Sequence, residues 1–418
     1  MAARRRIDGD LAAPSRARVR SLALLGAACL AVLPARAADA IAWWDTPRRG
    51  ANCQRHGVDP AYWEAAKAAG LDFIRLLPDA WPARGRDFLI GDASCFVTLE
   101  EADVTVLVHA LDDAERAGVK VVLGMISLPG ARWKQLNGDR DDARLWRDAA
   151  FQEQAAAFWR QLAGRLRGHP AIVAYNPLNE PHPERSFGFE EPGAPGYEDW
   201  RRRAKGTPAD VDAFNRRLVA AIRASDPVTP ILLDGPFYAS PEGLSLLEPV
   251  EDARTLYAFH FYEPWEYTTF RVNKRRFAYP GRMPCGPDEK TAEWTIDSLR
   301  ARVVPTVRWA AGHGIPRSRM VAAEFGVSRR VEGALAYLTD LVRVLDESAG
   351  HRAFYAFRSD GAWTDLDYEL GFEPVDPRIW AAEERGEDTE RFKRRHDNPL
   401  WRALWPSPEP PPEPPTGR

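Results

Sequence analysis

The chain has 418 residues, 45% hydrophobic and 28% charged, a globular composition with ample apolar mass for a core. Its 57 lysines and arginines against 60 aspartates and glutamates leave a formal charge of -3, which gives no electrostatic reason to bind nucleic acid or an anionic membrane. Local basic runs such as 271–276 read as solvated loops.

Taken in chain order, the first segment is a leader. Arg16, Arg18 and Arg20 precede an apolar run over 22–33, followed by the small-residue spacing Ala35-Arg36-Ala37. The run is too short to span a bilayer, so residues 1–38 read as a signal peptide cut near Ala37 or Ala38, and an exported, periplasmic or extracellular protein is expected. Cys53, Cys95 and Cys285 then remain, and a Cys53–Cys95 disulfide is the expected pairing. At the far end, 405–418 is proline-rich and cannot build a core, so it reads as a tail.

Between these ends, short apolar runs alternate with amphipathic segments. Strands are predicted at 41–44, 73–77, 119–125, 172–176, 231–234, 256–262, 320–323 and 353–357. Helical stripes lie between most of them, such as Phe151, Ala155, Phe158, Trp159, Leu162 and Leu166. Eight strands alternating with helices predict an α/β fold, a (β/α)8 TIM barrel in a single domain over 39–404. No Gly-x-Gly-x-x-Gly follows a strand, which argues against a dinucleotide-binding sheet. The stretches 183–207 and 263–292 are long loops after the fourth and sixth strands, on the face where barrels do chemistry.

Two of the runs end in a glutamate: 172–176 leads through Pro177 and Asn179 to Glu180-Pro181, and 320–323 leads to Glu324. A carboxylate at the tip of a buried strand is costly unless paired or used. Strands four and seven face each other across an eight-strand ring, so the two carboxyls are expected to meet at its mouth, as glycosidic bond cleavage by an acid and a nucleophile requires. On the sixth strand, period two puts His260 and Tyr262 on one face. No three-histidine set exists to suggest a metal. Arg75, inside an apolar strand, needs an anion, and Glu324 is the candidate. Of the tryptophans near strand ends or loops, Trp363 is favoured for stacking on a sugar, while Trp44, Trp81, Trp133 and Trp265 are expected to pack in the core.

This ordered set resembles glycoside hydrolase family 5, the cellulase family, across most of 41–371: Arg75, Asn179-Glu180-Pro181, His260, Tyr262, Glu324 and Trp363. The resemblance implies a retaining enzyme needing no cofactor, with Glu180 as acid/base and Glu324 as nucleophile. It implies that Asn179 binds the sugar 2-hydroxyl, that Arg75 and Tyr262 hold Glu324, that His260 contacts the acid/base, and that Trp363 forms the platform. The expected partner is an oligo- or polysaccharide, a β-linked glucan, mannan or related glycan. A transglycosylase of the same fold and a carbohydrate-binding pseudoenzyme are the alternatives. One departure concerns the third strand, where many members carry a histidine near a Pro-Gly pair. Here Ser127-Leu128-Pro129-Gly130 has none, and Ser127 or Trp133 is expected to fill the space.

Overall fold

Eight parallel strands close into a barrel in the order β1-β2-β3-β4-β5-β6-β9-β10. These are β1 (Arg48–Cys53), β2 (Phe73–Leu76), β3 (Lys120–Gly124), β4 (Ile172–Asn176), β5 (Ile231–Asp234), β6 (Thr255–Phe261), β9 (Met320–Phe325) and β10 (His351–Phe354). The remaining pair, β7 (Gly281–Pro284) and β8 (Thr291–Trp294), is an antiparallel hairpin inside the long loop after β6. The structure is a computed structural model that describes residues 40–285, 290–387 and 389–405. The predicted leader and all of the proline-rich tail except Trp405 lie outside the described residues. No helix among them is long and apolar enough to cross a membrane.

The first strand is a correction. Residues 41–44 form helical turns, not a strand, and Trp44 at their end is fully buried among Phe73, Val122, Val173, Leu232, Leu256 and Val321. Its indole nitrogen donates to Val173 O at 3.0 Å, so the Trp44 side chain enters the barrel interior while its segment does not join the sheet. A short apolar run cannot be assigned by composition alone. The true β1 carries Arg48 and Arg49, whose polarity hides it; Asp72 accepts from the Arg49 amide at 2.9 Å and Trp43 O from Arg48 Nε at 2.9 Å. Gly50 is required here, because a β-carbon would sit 2.6 Å from the Phe73 ring that fills the interior. The last strand is also shorter than expected and ends at Phe354.

A second apolar layer lies between the barrel and its helices. The helix Ala149–Leu166 buries Ala155, Phe158, Trp159 and Leu162 against it, as the stripe predicts. Asp148 caps this helix by accepting from the Ala150 amide.

The expected disulfide is absent. Cys53 is a buried thiol on β1 and Cys95 an exposed one in the loop after β2. Burial pushes the Cys53 thiol up to about 12, despite a hydrogen bond with Tyr62 and the nearby Arg55 cation.

Candidate active site

The upper end of the barrel interior is polar where the middle is apolar. Six strands each end in one buried polar side chain: Asn52, Arg75, Asn176, Asp234, His260 and Glu324. Arg75 is the hub of this layer. Its Nη1 donates to Glu324 Oε1 (2.5 Å) and Asn52 Oδ1 (2.9 Å), and its Nη2 to Asn179 Oδ1 (2.6 Å). Nε and Nη2 both donate to Asn176 Oδ1, at 3.0 and 2.6 Å, and Asp234 Oδ2 lies 3.6 Å from Nη2. Burial works against the guanidinium charge, but Glu324 and Asp234 outweigh it and hold the Arg75 pKa above its ordinary value.

Glu324 is held at both oxygens, since Tyr262 Oη donates to Oε2 at 3.0 Å. A register shift between Phe259 and His260 pairs His260 with Glu324 across β6 and β9. A bulge of this kind re-aims a side chain. It leaves His260 Nδ1 2.8 Å from Glu180 Oε1 and 3.7 Å from Glu324 Oε2. Burial alone would lower the His260 pKa, yet Glu324, Glu180 and Asp234 together raise it.

Glu180 leaves the end of β4 in a left-handed conformation, φ +50°. Its amide donates to Asp234 Oδ2 at 3.0 Å, and its carbonyl accepts from His182 Nδ1 at 2.6 Å. One oxygen of Glu180, one of Glu324 and a ring nitrogen of His260 lie within 4.8 Å of one another. Two carboxylates and an imidazole at this range have the donor set of a cation site, but the Arg75 guanidinium already fills the role of counter-cation, and His260 Nδ1 is engaged by Glu180.

The mouth opens into a cleft of about 1480 Å³. Both loops expected at this rim line it, the first through Arg185, Ser186 and Glu190 and the second through Glu263, Trp265 and Arg271. Trp363 lines it too, its ring 5.1 Å from that of Tyr355 at an interplanar angle of 68°. Trp44 and Trp81 are core residues as expected. Trp133 and Trp265 are not: both line the cleft, and Trp265 is 56% exposed. Ser127 is buried, where its hydroxyl accepts from the Trp133 amide and its amide donates to Asp79, so Ile126 and Trp133 form the cleft wall after β3. Asp79 accepts from the Ile126 and Ser127 amides, yet burial pushes its carboxyl up to about 6.

The site thus gathers every residue expected from sequence. It also holds Asn52, Asn176, Asp234 and Tyr355, which the sequence reading missed. Asp234 carried the same signal as the two glutamates, an acid ending the apolar run Ile231-Leu232-Leu233.

The profile of the cellulase family, glycosyl hydrolase family 5, matches residues 50–360. The chain belongs to this family. Endoglucanase C of Acetivibrio thermocellus is 25% identical over 230 residues, which cover 52% of this chain and 57% of that protein. This family 5 chain therefore spans little more than half the length of that curated relative. Its fold matches that of Thermotoga maritima Cel5A, solved with cellobiose (TM-score 0.56) and with mannotriose (TM-score 0.57). Both are 16% identical, and each comparison covers 88% of this chain and 100% of the other.

Proposed function

We propose that this family 5 protein is a retaining glycoside hydrolase acting on a β-linked glucan, with mannan as the next substrate to test. The observation that carries the reading is the pairing of Glu180 and Glu324. One oxygen of each lies within 4.8 Å of the other across the mouth, which supports the close spacing of about 5–5.5 Å used by a direct nucleophile and an acid over the about 6.5–9.5 Å used with an intervening water. The relatives named endoglucanase support a glucan substrate, and the similar structures, solved with cellobiose and mannotriose, suggest the two glycans to test.

The environments of the two carboxyls divide the roles. Glu324, oriented by its bonds to Arg75 and Tyr262, attacks the anomeric carbon. Glu180, bonded to the His260 imidazole and partly open to the cleft, gives its proton to the departing glycosidic oxygen as that bond breaks. The product of this step is a glycosyl ester on Glu324. Glu180 then takes a proton from water, the water oxygen bonds to the anomeric carbon, and the ester bond to Glu324 breaks. Asn179, oriented by Arg75, bonds the sugar 2-hydroxyl, and Trp363 stacks under the ring being cleaved. The basic-then-apolar N-terminus supports export of the enzyme.

The test is turnover of a soluble mixed-linkage β-glucan and a β-mannan by wild type, Glu180→Gln and Glu324→Gln. Wild type releases reducing ends and both variants lose essentially all turnover while staying folded. Wild-type-like turnover by purified Glu324→Gln would sink the assignment.

A further inference from the structure

Two buried carboxyls outside the predicted set link the loops after β4 and β5 in opposite directions. Asp234, at the end of β5, accepts the amide of Glu180 in the β4 loop at 3.0 Å. Glu184, in the β4 loop, accepts the amide of Phe237 in the β5 loop at 2.8 Å. Each carboxyl caps a strained piece of backbone. Glu180 has φ +50°, and Phe237, Tyr238 and Ala239 form a run of non-glycine residues with φ of 52°, 56° and 56°. Such conformations are costly for non-glycine residues and persist only where the surroundings over-determine them.

The link closes through side chains. Tyr238 stacks on His182 with ring centroids 4.2 Å apart and planes 16° from parallel, and its hydroxyl accepts from Arg185 at 2.9 Å. His182 in turn donates to the Glu180 carbonyl. The Glu180 backbone is therefore gripped at its amide by Asp234 and at its carbonyl by His182, and the second grip depends on the loop that Glu184 holds. Asp234 does a further job: its Oδ1 accepts from Asn176 Nδ2 at 2.9 Å, and its Oδ2 stands 3.6 Å from both Arg75 Nη2 and His260 Nε2.

We propose that Asp234 and Glu184 form a reciprocal clasp between the β4 and β5 loops, and that this clasp positions Glu180 and its partner His260 for proton transfer. The inference rests on the hydrolase reading for its kinetic consequence, though the clasp itself is a property of the fold. The state of Glu184 fits the role. One of its oxygens has no hydrogen-bond partner, and burial pushes its carboxyl up to about 8, so it serves as a neutral acceptor. The charged and titratable groups bearing on it are Glu190 on its own loop and Tyr197 on the helix Tyr197–Ala204. Those facing His260 are Glu180 from the β4 loop, Asp234 from β5 and Glu324 from β9, with Arg75 of β2 bonded among them.

The test uses the full chain and two readouts, β-glucan kinetics and the titration of His260 followed by NMR of 15N-histidine-labelled protein. Asp234→Asn keeps the shape but removes one acceptor and the charge. It should lower kcat on the order of 10²-fold with KM changed less than about threefold, and should move the His260 midpoint down. Glu184→Ala should lower kcat about tenfold, and Glu184→Gln, a neutral acceptor like the native acid, should recover most of that loss. Should Asp234→Asn fail to fold, Tyr238→Ala, a change at a partly exposed ring, should still lower kcat several-fold by releasing His182. The clasp is overturned if Asp234→Asn, or Tyr238→Ala in its place, keeps wild-type kcat, if Asp234→Asn leaves the His260 midpoint unmoved, or if Glu184→Gln is no better than Glu184→Ala. Should wild type cleave no glycan, the hydrolase reading fails, while the His260 midpoint still decides the Asp234 arm.

Discussion

Arg75 Nη1 stands 2.5 Å from Glu324 Oε1, and both side chains are almost wholly removed from water. A buried pair of this kind adds little net stability against an apolar replacement, but breaking it is expensive because the surviving charge is left uncompensated. The Arg75 fork also orders Asn52, Asn176 and Asn179, so its planar geometry matters as much as its charge.

Arg75→Lys keeps the cation and loses the fork. It should cost about 3 kcal/mol of stability in urea unfolding, since several charged hydrogen bonds are lost, and should abolish most turnover. A lysine variant with wild-type stability and kcat would show that charge alone suffices.

Tyr262→Phe removes one hydrogen bond, from Oη to Glu324 Oε2, and leaves the ring in place. A bond to a charged group is worth about 1.5–3 kcal/mol, so kcat should fall about 10- to 100-fold with KM little changed. Steady-state kinetics on a β-glucan reads this directly, and a change confined to KM would count against an orienting role.

The cleft aromatics should act on binding instead. Trp363→Ala and Trp265→Ala should each raise KM, by about tenfold for Trp363, equivalent to ~1.4 kcal/mol. Trp265 is the more exposed of the two, and its loss should be felt with long substrates and not with a short aryl glycoside.

Stability should depend on pH through Glu184. Its folded pKa is raised from 4.5 to about 8 by burial, so the folded state holds a proton that the unfolded chain gives up. The sign follows: the folded protein loses stability as pH rises from about 4.5 to about 8, at roughly 1.4 kcal/mol per pH unit. Glu184→Gln removes that dependence. Thermal melts should show the variant equal to wild type near pH 4 and more stable by a few kcal/mol near pH 8.

The thiols give a check on the fold. Cys95 should react with a thiol reagent in the native protein, and Cys53 only after unfolding, with no change on prior reduction. Protection of Cys95 that is lifted by reductant would restore the disulfide.

The barrel and its two facing glutamates were legible because each signal is local: an apolar run of strand length, then an acid that has no reason to be there unless it is used. Arg75, His260 and Tyr262 followed from polarity inside apolar strands. Asp234 had the same form as the glutamates but no neighbouring motif to single it out, and its value appears only when the β4 loop arrives over it. β1 was missed because its polar residues sit at the lower end, where Asp72 and Trp43 satisfy them. The left-handed run at Phe237–Ala239 leaves no trace in sequence, since it contains no glycine and is held by contacts from another loop. The Cys53–Cys95 pairing failed because nearness in chain order does not bring two thiols together: Cys53 is buried on β1 and Cys95 is exposed in the loop after β2.

The central claim is that Glu324 bonds covalently to the sugar while Glu180 handles the proton. Incubation with a 2-deoxy-2-fluoro-β-cellobioside carrying a good leaving group, followed by peptide mass spectrometry, tests it most directly. The account predicts one added glycosyl unit, on the peptide containing Glu324, with Glu180 unmodified. Hydrolysis of β-glucan with inversion at the anomeric carbon, or an adduct on any residue other than Glu324, would contradict it.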